Sequence, residues 1–281
     1  MSAATEGRTP QRYHYDPSLA AAVIFAVIFG LSGLAHTYQM IKGLTWYFLA
    51  FLVGVFFEIG GYAARAVNAS ETPDWSKGPF IVQTLLLLLA PALFAASIYM
   101  VLGRIIRMVE AEHLSIVRVN WLTKIFVLGD VLSFLVQAVG GVIVANADSK
   151  DDLDKGQNIV LVGLAIQIIF FGVFIAVISF FHFRIVRYPT TASLETSLPW
   201  KRYIVVLYAA SLLIMVRSIF RVVEFAGGPS GTLQTSEAYM YCLDAALMLI
   251  CVLLFNVQHP SAVVRVSQYK PSQTHVELTS V

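Results

Sequence analysis

Seven apolar stretches, each long enough to cross a bilayer, recur along the 281-residue chain with short polar connections between them. Crossing ~30 Å of hydrocarbon takes roughly 20 mainly apolar residues as a helix. The expected spans run at about 18–38, 45–66, 79–102, 121–145, 158–182, 202–224 and 237–258. The fold class read from them is an all-α membrane protein, a seven-transmembrane helix bundle over 18–258 flanked by polar tails at 1–17 and 259–281. Composition agrees, because 58% hydrophobic and 13% charged residues lie far from the balance of a soluble domain. The polar residues ahead of the first span, with no small-residue cleavage site after it, read as a retained helix rather than a signal peptide.

Orientation follows from lysine and arginine in the connections. One side carries Arg8, Arg12, Lys77, Lys150 and Lys155. The other carries Lys42, Arg104, Arg107, Arg118, Lys124, Arg184, Arg187, Lys201, Arg202, Arg265 and Lys270. The richer side is assigned to the cytoplasm, which puts the N-terminus and an acidic loop, Asp148 to Asp154, outside and the C-terminal tail inside. That tail is polar enough to read as disordered. The Asn68-Ala69-Ser70 sequon then faces outward but sits at the membrane surface, and modification is not expected there. Cys242 and Cys251 lie nine residues apart on one apolar segment, on opposite helix faces, and are expected to stay reduced.

Charged groups inside spans are costly, roughly 2.5–3.5 kcal/mol each on insertion scales, so they are paired, water-facing or functional. Glu58 and Arg65 in the second span are seven residues apart, two helical turns, and share a face while looking to other helices for partners. In the sixth span Arg217 and Arg221 are four apart, and Glu224 follows Arg221 by three, forming one polar stripe. Asp244 joins from the seventh span and Asp130 from the fourth, nearer the membrane middle. Six of these seven fall in the outer half of the bilayer in the assigned orientation. Three acids against three arginines suggest interhelical pairing around a cavity open to the outer leaflet, able to hold an amphipathic ligand. Glu58 and Asp244 would suit an amine head group, Arg217 and Arg221 a phosphate or carboxylate, and the sequence does not choose. The competing reading is architectural, with the ion pairs holding helices in register. Gln83, Gln137 and Gln167 read as interhelical hydrogen-bond formers, the small residues Gly140, Gly141 and Gly163 as close-packing points, and Pro91 as a kink.

Other classes find little support. A net charge of +2 and no Lys/Arg-rich run argue against nucleic-acid binding. His36, His182 and His259 stand on different helices near one side, without the spacing of a metal pair, so neither a metal nor a cofactor is expected. No phosphate-binding glycine loop and no nucleophile elbow appears, and the chain reads as a non-enzyme.

Several segments taken in order carry a resemblance. They are Tyr15-Asp-Pro-Ser-Leu-Ala at the first span, Glu58-Ile-Gly-Gly-Tyr-Ala-Ala-Arg65 in the second, and Gln83 through Ala90-Pro91-Ala92 to Ala95-Ala-Ser-Ile-Tyr99 in the third. Arg104-Ile-Ile-Arg107, Asp130 with Phe134 to Gly141, Gly163 to Gln167, Arg217-Ser-Ile-Phe-Arg-Val-Val-Glu224, Glu237, Asp244 and His259-Pro260 follow. On these the chain resembles the fungal lipid-translocating exporters, the aminosterol-resistance and sphingoid long-chain-base export proteins, across nearly the whole membrane region. The resemblance implies movement of, or resistance to, amphipathic compounds such as sphingoid bases, sterol amines or porphyrins, with membrane lipids and an amphipathic small molecule as partners. The surface membrane is the default placement, an internal membrane the alternative. A seven-helix receptor for such ligands is the second functional reading.

Overall fold

A computed structural model of the chain describes residues 17–72, 75–147, 149–196, 198–227, 233 and 236–261. Most of both expected tails, with Arg8, Arg12, Tyr15, Arg265 and Lys270, lies outside the described residues, as does Asp148 of the expected acidic loop. All regular structure among the described residues is helical. Seven helices are long and apolar enough to cross a membrane: α1 Leu19–Gly43, α2 Trp46–Ser70, α3 Lys77–Met108, α4 Val119–Ala145, α5 Lys150–Arg187, α6 Trp200–Ala226 and α7 Glu237–Val257. The chain is an integral multi-pass membrane protein.

The helices outrun the expected spans because capping and charge extend them past the hydrocarbon. Residues 150–154, expected in a loop, form the start of α5. Ser149 Oγ accepts a hydrogen bond from the Asp152 backbone N–H at 3.1 Å, and Asp151 and Asp152 in the first turn suit the positive end of the helix dipole. The connections expected at 104–120 and 184–201 are likewise mostly ordered. They hold a 3₁₀ turn at Glu112–Leu114 and a short helix at Thr191–Glu195 capped by Thr190. At the other end of the chain Ser18 Oγ caps α1 through the Ala21 N–H at 3.3 Å.

Two contacts fix how the bundle closes. The Ser18 N–H at the start of α1 donates to both carboxylate oxygens of Glu237 at the start of α7, at 3.0 Å each. At the opposite end the Tyr47 hydroxyl donates to the Pro260 carbonyl at 3.0 Å, just after α7. So α1 and α7 lie side by side and parallel, as the six antiparallel steps between them, an even number, require. α3 is the most enclosed helix, and α4 packs on α5 through interlocked glycines. A Cβ on Gly140 would lie 2.7 Å from the Gly156 carbonyl and from the Val160 nitrogen, so only glycine permits this backbone approach. Phe48, Phe51, Phe94 and Phe255 fill the core near one end, and Tyr99, Phe126 and Phe174 fill it between α3, α4 and α5. Leu34, Leu128, Ile169 and Leu212 point outward, as lipid-facing residues of a membrane bundle do. Both cysteines are free, Cys242 exposed and Cys251 buried.

Candidate functional site

The charged residues singled out in the sequence meet at one end of the bundle, between α2, α6 and α7. Helical spacing does the gathering. Glu58, Tyr62 and Arg65 rise along one face of α2, and Arg217, Arg221 and Glu224 along one face of α6. Tyr241 and Asp244 sit within a π-helical turn, Tyr241–Ala245, inside α7. Such turns widen the backbone locally and recur at functional sites.

Each arginine has an acidic partner. Arg65 Nη2 pairs with Glu237 Oε1 at 2.7 Å, while its Nε donates to the Tyr241 hydroxyl at 3.1 Å. Arg217 Nε pairs with Asp244 Oδ1. Arg221 Nη1 pairs with Glu224 Oε2 at 2.7 Å, and its Nη2 lies 3.6 Å from Asp244 Oδ2. Arg217 also closes an opening made by the sequence. Pro91 has no N–H, so the Leu87 carbonyl four residues earlier loses its helical donor, and Arg217 Nη2 donates to that oxygen at 2.7 Å. Pro91 thus does more than the kink expected of it: it leaves in α3 an acceptor that ties α3 to α6.

The cluster is sealed on its inner side. Glu58, Arg65 and Arg217 are each 1% exposed, whereas the Glu224 and Glu237 side chains at the rim keep 13% and 17%. Glu58 differs from the other acids. Its Oε1 is buried with no hydrogen-bond partner, no ion pair reaches it among the described residues, and it only shares the field of Asp244, Arg217 and Arg221. Tyr62, one turn along, likewise has a buried hydroxyl without a partner. Its ring stacks on Phe29 at 5.7 Å and on Tyr241 at 6.2 Å, with Phe25 at 5.6 Å completing an aromatic wall.

Glu58, Arg65, Arg217, Arg221, Glu224 and Asp244 do converge. The expected balance of three acids against three arginines does not hold, because Glu237 joins and makes four acids. Glu237 opens α7, and in the sequence it stands only among the positions that carry the resemblance. Its spacing of four from Tyr241 and seven from Asp244 was the available signal. Asp130 is held elsewhere, accepting the Tyr99 hydroxyl at 2.9 Å between α4 and α3. Gln137 Nε2 donates to Gln167 Oε1 at 3.1 Å, joining α4 to α5, and Gln83 is buried on α3. Asn68 of the sequon is fully buried, an unsuitable place for a glycan. At the other end of the bundle His36 and His259, distant in sequence, bring their rings to 5.9 Å. Among the described residues no group of three or more His, Cys, Asp or Glu side chains is placed to hold a metal ion.

The model of the family described as RTA1 like protein matches residues 51–267, which spans α2 to the end of α7. The chain belongs to the RTA1-like family. It is 36% identical to Protein RTA1 of Saccharomyces cerevisiae, over 88% of this chain and 84% of that one. It is 32% identical to Protoporphyrin uptake protein 1 of the same species, over 87% and 90%. It is 27% identical to Sphingoid long-chain base transporter RSB1 of S. cerevisiae strain Lalvin EC1118, over 87% and 72%. No solved structure matches the chain. The segments that carried the exporter resemblance in α2, α6 and α7 are those that supply the charge cluster, and all of them lie within the matched residues.

Proposed function

We propose that this RTA1-like protein moves lipids or other amphipathic compounds, such as sphingoid bases or sterol-like toxic amphiphiles, across its membrane and so confers resistance to them. The observation that carries this is a charge cluster buried at one end of an otherwise apolar bundle. A head group can be held there while its tail stays among lipid-facing helices, and the cost of burying five ionisable groups, Glu58, Arg65, Arg217, Arg221 and Asp244, makes their retention informative. Relatives named for sphingoid-base transport and protoporphyrin uptake support the same reading. No catalytic group is assigned; the polar residues bind and orient.

In this reading the N-terminus and tail 1–17 face outward, the tail 259–281 is cytoplasmic, the cluster lies in the outer half of the bilayer, and the membrane is the plasma membrane. Lysine and arginine counts support that orientation. Impermeant maleimide should label Ser2→Cys but not Ser280→Cys in intact cells carrying Cys242→Ser; the reverse pattern would invert the bundle.

The function is tested in cells challenged with a sphingoid base. At matched protein abundance, Glu58→Gln and Arg221→Ala should each abolish the resistance that the wild-type chain confers. Full resistance in both variants would exclude the cluster from transport, and ligand-dependent signalling without flux would favour a receptor.

A further inference from the structure

The cluster's charges do not balance, and the imbalance falls on one residue. Guanidinium groups stay protonated in proteins, so Arg65, Arg217 and Arg221 are fixed positive charges. Each is matched by its own acid: Glu237, Asp244 and Glu224 respectively. The fourth carboxylate, Glu58, is 1% exposed, and its Oε1 accepts no hydrogen bond. Four residues on, on the same face of α2, the fully buried Tyr62 hydroxyl is also without a partner. Two buried polar atoms without hydrogen-bond partners, one turn apart on the same helix face, are costly to hold, and the other acids of the cluster each pair with an arginine.

We propose that Glu58 and Tyr62 form the seat of a positively charged head group, a primary or secondary ammonium carried by the amphiphile. An ammonium supplies what is missing. It brings one positive charge for the surplus carboxylate, one N–H for Glu58 Oε1 and another for the Tyr62 oxygen. The rings of Phe25 and Phe29, each within 6 Å of the Tyr62 ring, offer with it π faces to a cation and an apolar path for the chain behind it. Asp244 Oδ2 makes no hydrogen bond and is 3.6 Å from Arg221, which leaves a second acceptor in the same field. An anionic head group fits less well: each guanidinium already pairs with a carboxylate, and although the buried Arg221 Nε has no hydrogen-bond partner, another negative charge would deepen the surplus. The alternative left open by the sequence, amine or phosphate, is therefore resolved toward the amine. The assignment rests on the transport reading only for the ligand's being an amphiphile.

The test uses the full chain in nanodiscs, with octadecylamine, N-acetyl-octadecylamine and octadecanoic acid as probes that share one tail. Wild type should bind the amine about 10- to 100-fold more tightly than the amide, the size of one charge-assisted hydrogen bond, and the acid no better than the amide. Glu58→Gln should bring amine and amide to equal affinity, and Tyr62→Phe should cut the preference several-fold. Should Glu58→Gln fail to fold, Glu58→Asp, which keeps the charge, must still prefer the amine while Tyr62→Phe loses part of that preference. Equal binding of amine and amide by wild type, or a preference untouched in these variants, overturns the assignment. Equal binding together with proton uptake lost in Glu58→Gln would give the site to a proton instead, and also overturns it. Failures separate cleanly. Glu58-dependent amine preference without flux sinks the transport reading and leaves the site, whereas Glu58-independent flux of amine and amide alike leaves transport and sinks the site.

Discussion

Arg217 is the residue whose removal should reveal how the bundle is held at this end. Its guanidinium joins three helices at once, pairing with Asp244 of α7 and donating to the Leu87 carbonyl of α3 from its place on α6. Arg217→Met leaves Asp244 buried with only Arg221, 3.6 Å from its other oxygen, and reopens the Leu87 carbonyl that Pro91 cannot satisfy. Breaking a buried pair from one side costs about 3–5 kcal/mol, and the stranded carbonyl adds about 1 kcal/mol or more. Arg217→Lys keeps the charge but cannot fork to both acceptors, so it should cost less, about 1–3 kcal/mol. The double variant Arg217→Met/Asp244→Leu replaces the pair by apolar volume and should be more stable than Arg217→Met alone, with a coupling energy of about 2–3 kcal/mol. Equilibrium unfolding in mixed micelles with increasing dodecyl sulfate, followed by helical circular dichroism, measures wild type, these three variants and Asp244→Leu, which closes the cycle. Additive losses in the double variant would refute the pairing argument, and a loss below about 1 kcal/mol for Arg217→Met would refute the burial argument.

Other substitutions read other parts of the fold. Gly140→Ala should destabilise by about 1–3 kcal/mol in the same unfolding assay, since its Cβ would meet the backbone of α5, whereas Gly30→Ala, with open space around it, should be neutral or slightly stabilising. Tyr99→Phe strips Asp130 of its hydroxyl donor and should cost about 1–3 kcal/mol, with little effect on amphiphile resistance because Asp130 stands apart from the cluster. His259 follows the last span, and burial holds its imidazole down at about 4. The unfolded chain takes up that proton first, near the ordinary histidine value of about 6.5, so its contribution is complete above that value and lost as pH falls toward 4. Melting temperature should therefore drop more steeply between pH 7 and 4 in wild type than in His259→Gln.

What the sequence conveyed and what it withheld have physical reasons. Span number and type were legible because apolar length is a one-dimensional signal that lipid enforces. Helix ends were less so, since Ser149 and the acids after it extend α5 through a region whose polarity reads as loop. The convergence of Glu58, Arg65, Arg217, Arg221, Glu224 and Asp244 was visible as faces of individual helices. Which acid serves which arginine depends on helix neighbours and on the π turn in α7, neither written in any local spacing. That is why Glu237 went uncounted, why the surplus charge on Glu58 stayed hidden, and why Pro91 gave no sign that its missing N–H is answered by an arginine more than a hundred residues away. His36 and His259 illustrate the same limit, as their approach follows from the parallel packing of α1 against α7.

The central claim is tested most directly by transbilayer movement of labelled sphingoid bases and phospholipids in liposomes containing the purified chain, beside protein-free liposomes and liposomes with Glu58→Gln. The account predicts movement that requires the protein and falls to the protein-free rate in Glu58→Gln. Folded wild-type protein that moves none of these lipids faster than protein-free liposomes would contradict it.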